Sequence, residues 1–222
     1  MISRSVFWQA ACAGTCLLIS CLAAVEAKPI AFADGTTVMG EYGAGTMVEV
    51  QAFYAPTYRY SIGGGHLSLN SDVNDHTRDI TYARVNYLPK RWNLEAAQAN
   101  IFAWGSVGRA HIGETGDNVF AWNVGGQFDY ETRRLYASVR TDLHESSEYS
   151  HRIDTLQIGF APYPHDYEKL ATWLVIQGRN YTGGLYDGLE WAALIRLFKR
   201  SSWLDAGVTL DGKPQVMLMF NF

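Results

Sequence analysis

The sequence predicts an all-β fold, a closed antiparallel transmembrane β-barrel of about twelve strands, with ten as the main alternative. Three observations carry that prediction. Apolar and polar residues alternate along most of the chain, Tyr and Trp gather toward the ends of the alternating segments, and the chain stops on an apolar alternation at Phe222. Successive strand side chains point to opposite faces, so the alternation marks a sheet with one oily and one polar face. Many segments run to about 9–13 residues, the length a tilted strand needs to cross a bilayer. Strands in water are most often about 5–6 residues long.

The chain opens on a segment of different character. Arg4 supplies a positive charge, Val6 to Val25 is rich in Ala, Leu, Ile and Cys, and Val25-Glu26-Ala27 offers small residues where a signal peptidase reads. This predicts a signal peptide over 1–27, cleaved before Lys28, and a barrel over 28–222. A retained transmembrane anchor and lipidation at Cys21, within Leu18-Ile19-Ser20-Cys21, are the competing readings. Cys12, Cys16 and Cys21 all lie in this segment. Cleavage would leave a chain without cysteine, which excludes a disulfide framework, a Cys-ligated metal and a Cys nucleophile.

Twelve segments follow from alternation and turn chemistry: Thr36–Tyr42, Met47–Ala55, Tyr58–Asn70, Thr77–Leu88, Gln98–Ile112, Asn118–Glu131, Leu135–Glu145, Arg152–Phe160, Thr172–Asn180, Leu189–Phe198, Ser202–Leu210 and Pro214–Phe222. The ten-strand alternative arises because the first two are short and Gly63-Gly64-Gly65 could break the third. Phe120, Trp122, Val124, Gly126, Phe128 and Tyr130 share one parity against Asn123, Gly125, Gln127, Asp129 and Glu131. Leu135, Ala137, Val139 and Leu143 likewise oppose Ser138, Arg140, Asp142 and His144. Ala83, Val85 and Tyr87 oppose Tyr82, Arg84 and Asn86, and Leu189, Trp191, Ala193, Ile195 and Leu197 oppose Glu190 and Arg196. An outward cation at the bilayer midplane would cost roughly 2–4 kcal/mol, so the polar parity is expected inside. Arg84, Asn123, Gln127, Asp129, Arg140, Asp142, Glu190 and Arg196 are therefore the expected lumen-lining residues. Tyr58, Tyr60, Tyr87, Trp104, Tyr130, Tyr163, Trp173, Tyr181, Trp191 and Trp203 are the expected interfacial girdle. The connections Pro89 to Ala97 and Ala161 to Leu170 are too long for tight turns and leave room for a helical turn.

The last segment carries a resemblance. Val216, Leu218, Phe220 and Phe222 share one face and end the chain on an aromatic, which resembles the terminal insertion signature of bacterial outer-membrane proteins. The resemblance implies a Gram-negative outer-membrane location, with outer-membrane lipid and the barrel-insertion machinery as partners. It names a class and covers only these residues and the general pattern.

Function is less legible. Charges make up 18% of the chain, the net charge is −4, and both signs are interspersed, so no basic stripe suited to nucleic acid is present. The inward charges support either a narrow passive channel for small polar solutes or a salt-bridged filled scaffold. His66-Leu67-Ser68 resembles the His-x-Ser pair of outer-membrane lipid A deacylases, which implies His66 as base, Ser68 as nucleophile and Asp79 or Asp72 as orienting acid. No oxyanion-hole motif accompanies it. A soluble periplasmic binding barrel is the remaining alternative. Met39, Met47, Met217 and Met219 offer soft ligands, but their number is ordinary, and His111, His144, His151 and His165 lack ligand spacing, so no metal or cofactor is expected. Gly63-Gly64-Gly65 and Gly183-Gly184 lack phosphate-loop spacing and read as bulge and loop glycines.

Overall fold

The alternating segments form one sheet that closes on itself. The computed structural model describes residues 30, 32–43, 45–71, 76–164, 169–183 and 188–222. The expected signal segment with its three cysteines, together with Asp72 and His165, lies outside them. The strands are β1 (Gly35–Gly43), β2 (Met47–Thr57), β3 (Tyr60–Asn70), β4 (Thr77–Asn93), β5 (Ala97–Ile112) and β6 (Asn118–Thr132). Then come β7 (Leu135–Ser146), β8 (Ser150–Phe160), β9 (Ala171–Thr182), β10 (Gly188–Lys199), β11 (Ser202–Thr209) and β12 (Pro214–Asn221). Each pairs antiparallel with its chain neighbour, and β1 pairs with β12 to close the barrel. Closure gives every strand two partners and leaves no open edge.

The seam is fully bonded. Thr37 faces Asn221 and Gly43 faces Gln215 across it. At its end the Thr36 amide donates to the Phe222 carbonyl at 2.6 Å, and the Phe222 amide returns a bond to Thr36 at 2.9 Å. The last residue thus completes the ladder of the first strand.

The strands are strongly staggered. From Phe160 at the terminus-proximal end of β8, the paired residues run Leu174, Ile195, Ala206, Val216, Tyr42, Val48, Ser68, Asp79 and His111. The line ends at Asn118, at the far end of β6. Such stagger accompanies the 35–45° tilt of closed barrels. The same line is apolar as far as Val48 and polar beyond it.

The outer surface is oily. Phe120, Ile176, Ile158, Val50, Val139, Val85 and Leu174 are all exposed, the first at 65%. On β6 the outward apolar run from Phe120 to Tyr130 spans roughly 33 Å along the strand at 3.3 Å per residue, about 25 Å after tilt, the height of a membrane barrel's apolar band.

Three local features differ from the sequence expectation. Gly63-Gly64-Gly65 stays inside an unbroken β3, because a side chain at Gly63 would press on the Ala52 carbonyl and lie 2.7 Å from the Phe53 Cα. These glycines admit close strand approach. The segment after Leu88 is no long loop. A bulge between Tyr87 and Lys90 absorbs Leu88 and Pro89, and β4 continues to a tight turn closed by Leu94 to Ala97. Proline lacks a ladder donor, which suits it to a bulge. Thirdly, Trp104, Trp173, Tyr181 and Trp203 are buried inside the barrel, whereas Tyr58, Tyr60, Tyr87, Tyr130, Tyr163 and Trp191 are exposed. The four inward rings fill a twelve-stranded interior that smaller side chains would leave loose, and Trp104 and Trp203 have carboxylate partners for their ring N–H groups. Between Ala161 and Leu170 no helix occurs among the described residues.

Candidate functional site

The interior is layered. At the end away from the termini, Met47, Leu67, Leu69, Ile80, Ile112, Tyr149, Ile153 and Tyr181 pack into one apolar cluster. Toward the terminal end, Tyr136, Trp173, Phe198, Trp203 and Met219 form a second cluster, and Ile30, Ala55, Leu88, Phe102 and Trp104 a third. Between these clusters lies a polar middle.

The eight residues expected to line the lumen all take the inward parity. Asp129 is fully buried, Arg84, Asn123, Asp142, Glu190 and Arg196 nearly so, and Gln127 and Arg140 half-buried. They do not form one site. Asp142 collects Arg140 Nε at 2.6 Å, Trp104 Nε1 at 2.8 Å and Asn123 Nδ2 at 3.4 Å. Arg84 bonds Gln51 and Asn123 while stacking on Tyr82 and Trp104. Arg196 grips Asp205 through two 2.8 Å bonds and lies 4.3 Å from the Trp203 ring centroid. Asp129 accepts from Asn100 at 2.6 Å. Glu190 stands opposite Arg179 on the neighbouring strand.

Several interior residues were not singled out from sequence. Glu41 pairs with Arg179 at 2.5 Å, Tyr82 donates to Glu49 at 2.5 Å, and Asp205 completes the Arg196 pair. Val48-Glu49-Val50-Gln51 alternates legibly, so the Glu49 signal was present. On β9 both faces are largely apolar, with Trp173 and Val175 inward and Leu174 and Ile176 outward, so the parity that would reveal Arg179 is masked.

Little free space remains. A cavity of about 90 Å³ borders Glu41, Arg140, Arg179, Arg196, Asp205 and Gln177, and another of about 30 Å³ adjoins Glu49, Arg84 and Asp142. A single water needs on the order of 10–15 Å³ of such space, so the larger cavity has room for only a handful of waters.

The second place of interest lies outside. His66 and Ser68 take the outward parity of β3, near its far end. His66 Nδ1 lies 3.0 Å from Thr81 Oγ1, and its Nε2 lies 3.9 Å from Asp79 Oδ1. Ser68 stands directly opposite Asp79 across the β3–β4 ladder, and Asp79 opposite His111. No bond joins Ser68 to His66 among the described residues. On β2, the residues paired with His66 and Ser68 are Val50 and Val48, so a polar patch abuts the oily face there.

Among the described residues no group of three or more His, Cys, Asp or Glu could hold a metal ion. Met47 packs in the far-end cluster, whereas Met39, Met217 and Met219 pack at the other end, so the four thioethers do not share one path.

No family model matches the chain, and no curated protein does. Among solved structures, CdiB from Acinetobacter baumannii is similar at 8% identity, over 85% of this chain and 59% of that one, with a TM-score of 0.30. The chain thus spans less than two thirds of that protein's length. The strand pairing itself makes this chain a closed antiparallel β-barrel of twelve strands.

Proposed function

We propose that the chain is an outer-membrane barrel that acts as a filled scaffold, presenting its outer face and far-end loops, and not as an open channel. One observation carries the choice. Apolar clusters occupy both ends of the lumen around an ion-paired middle. A conducting lumen would need a continuous polar path. The membrane location is supported by the belt of exposed Phe, Ile, Val and Leu, which a protein in water would not present so extensively. The same belt argues against the soluble periplasmic alternative. Export through a cleaved segment and insertion guided by Val216, Leu218, Phe220 and Phe222 complete the reading. The outward positions of Leu218, Phe220 and Phe222 suit such a signal.

Conductance across planar bilayers tests the scaffold. Barrel whose gel mobility shifts on boiling should show no stepwise current, and a steady conductance from such material would refute the proposal.

The outward patch supports a second reading, lipid hydrolysis. His66, Ser68 and Asp79 share one lipid-facing surface, with the His66–Asp79 separation of 3.9 Å already close. In that chemistry the Ser68 hydroxyl would attack an acyl-ester carbonyl and pass its proton to His66, whose charge Asp79 would balance. The ester C–O bond would break, the leaving alcohol taking that proton from His66, and water would then hydrolyse the acyl-serine to free the fatty acid. The His66 ring must turn to reach Ser68, since its Nδ1 is on Thr81. Release of fatty acid from lipopolysaccharide or phospholipid, lost in Ser68→Ala, would establish it. No release, or release undiminished in that variant, removes it.

A further inference from the structure

We infer that the far end of the β3–β6 outer face binds the phosphate of an outer-leaflet membrane lipid, held by Arg109 and His111. The inference rests on the outer-membrane reading and does not require hydrolysis at Ser68. Arg109 takes the outward parity of β5, paired with Thr81 on one side and Phe120 on the other. Phe120 begins the oily run of β6, so Arg109 sits level with the upper margin of the apolar band. His111 lies two residues further on the same face, between Asp79 and Asn118. Both are exposed.

Other cations near this end have protein partners. Arg78 and His76 hold Glu114, Arg152 holds Asp154, and His66 is bonded to Thr81. The side chains of Arg109 and His111 make no hydrogen bond or ion pair among the described residues. The ionisable groups facing them on neighbouring strands are His66 and Asp79, so a single carboxylate stands among one guanidinium and two imidazoles.

A cation on a lipid-facing strand costs roughly 2–4 kcal/mol at midplane but only about 0–1 near the interface, where lipid phosphates lie. A guanidinium there can bond phosphate oxygens with two parallel N–H groups. The patch reaches from β3 to β6, three strand spacings or about 14 Å. A lipid headgroup can lie across it while its chains run down the oily face below, where Val107 is 55% exposed.

The test uses the full-length barrel in phosphatidylcholine nanodiscs, with lipid A carrying its phosphates or the same lipid A after enzymatic dephosphorylation. Lipid A retained per barrel is counted by native mass spectrometry. The wild type should retain the phosphorylated form about tenfold better, a difference of about 1.4 kcal/mol. Arg109→Gln/His111→Gln should lose that preference while keeping heat-modifiable gel mobility. Equal retention of both lipids by the wild type, or an unchanged preference in the double variant, overturns the inference and leaves the membrane barrel standing. A chain that does not insert into bilayers at all overturns the outer-membrane reading and this inference with it.

Discussion

Breaking the Arg196–Asp205 pair reports directly on whether the lumen is closed to bulk water. Both side chains are almost fully buried, joined by two 2.8 Å bonds, and walled in by Trp203 and Tyr136. The Trp203 indole N–H also donates to Asp205 at 2.9 Å. Arg196→Met keeps most of the side-chain volume but leaves the Asp205 carboxylate without its cation. Removing one partner of a buried pair costs about 3–5 kcal/mol, because an uncompensated charge remains. The double change Arg196→Met/Asp205→Leu removes both charges and should recover most of that loss. Guanidinium unfolding in detergent, followed by tryptophan fluorescence and gel mobility, measures each variant. A single-variant loss below about 1 kcal/mol would place the pair in the range of water-screened ion pairs. The filled interior would then be wrong.

Two other perturbations address the outer wall and the loops. Val139→Arg, at a 55% exposed position midway along β7, should lower stability in lipid by about 2–4 kcal/mol, and a change within experimental error would show that this face does not meet hydrocarbon. Burial pulls the Glu114 carboxyl up, but the hydrogen bond and charge of Arg78, with the charge of His76, outweigh it and hold the group below its ordinary value of 4.5. A carboxylate lowered in the folded state stabilises above its unfolded pKa, and that contribution disappears as pH falls through the folded value. Proteolytic nicking of the β5–β6 loop should therefore rise on acidification below 4.5 in the wild type, and a Glu114→Gln loop nicked at the same rate at every pH would agree. Identical pH profiles for the two would contradict the tether.

Much of the architecture is legible because one physical rule acts on every strand. β6, β7 and β10 read cleanly, since their outward residues must be oily and their inward residues can be charged. The rule fails where both faces are apolar, as on β9, where inward Trp173 and Val175 hide the parity of Arg179. It also misplaces aromatics, because Trp104 and Trp203 satisfy an interior as well as an interface when a carboxylate meets the ring N–H. The Pro89 connection looked like a loop because alternation stops at a bulge, although pairing resumes at Lys90. The interior pairs themselves could not be read, since Glu41 and Arg179 stand far apart in the chain and meet only across the closed lumen. The outward side of His66 and Ser68 was likewise hidden, because the apolar parity beside them, Leu67 and Leu69, is the buried one.

Spin labels placed singly from position 120 to 130 of β6 in a reconstituted bilayer test the two-faced wall most directly. Collision with dissolved oxygen should alternate along the strand, high at 120, 122, 124, 128 and 130 and low at 121, 123, 127 and 129. A flat profile, or high accessibility to a water-soluble nickel reagent at the first group, would contradict a barrel whose oily face meets lipid and whose polar face is enclosed.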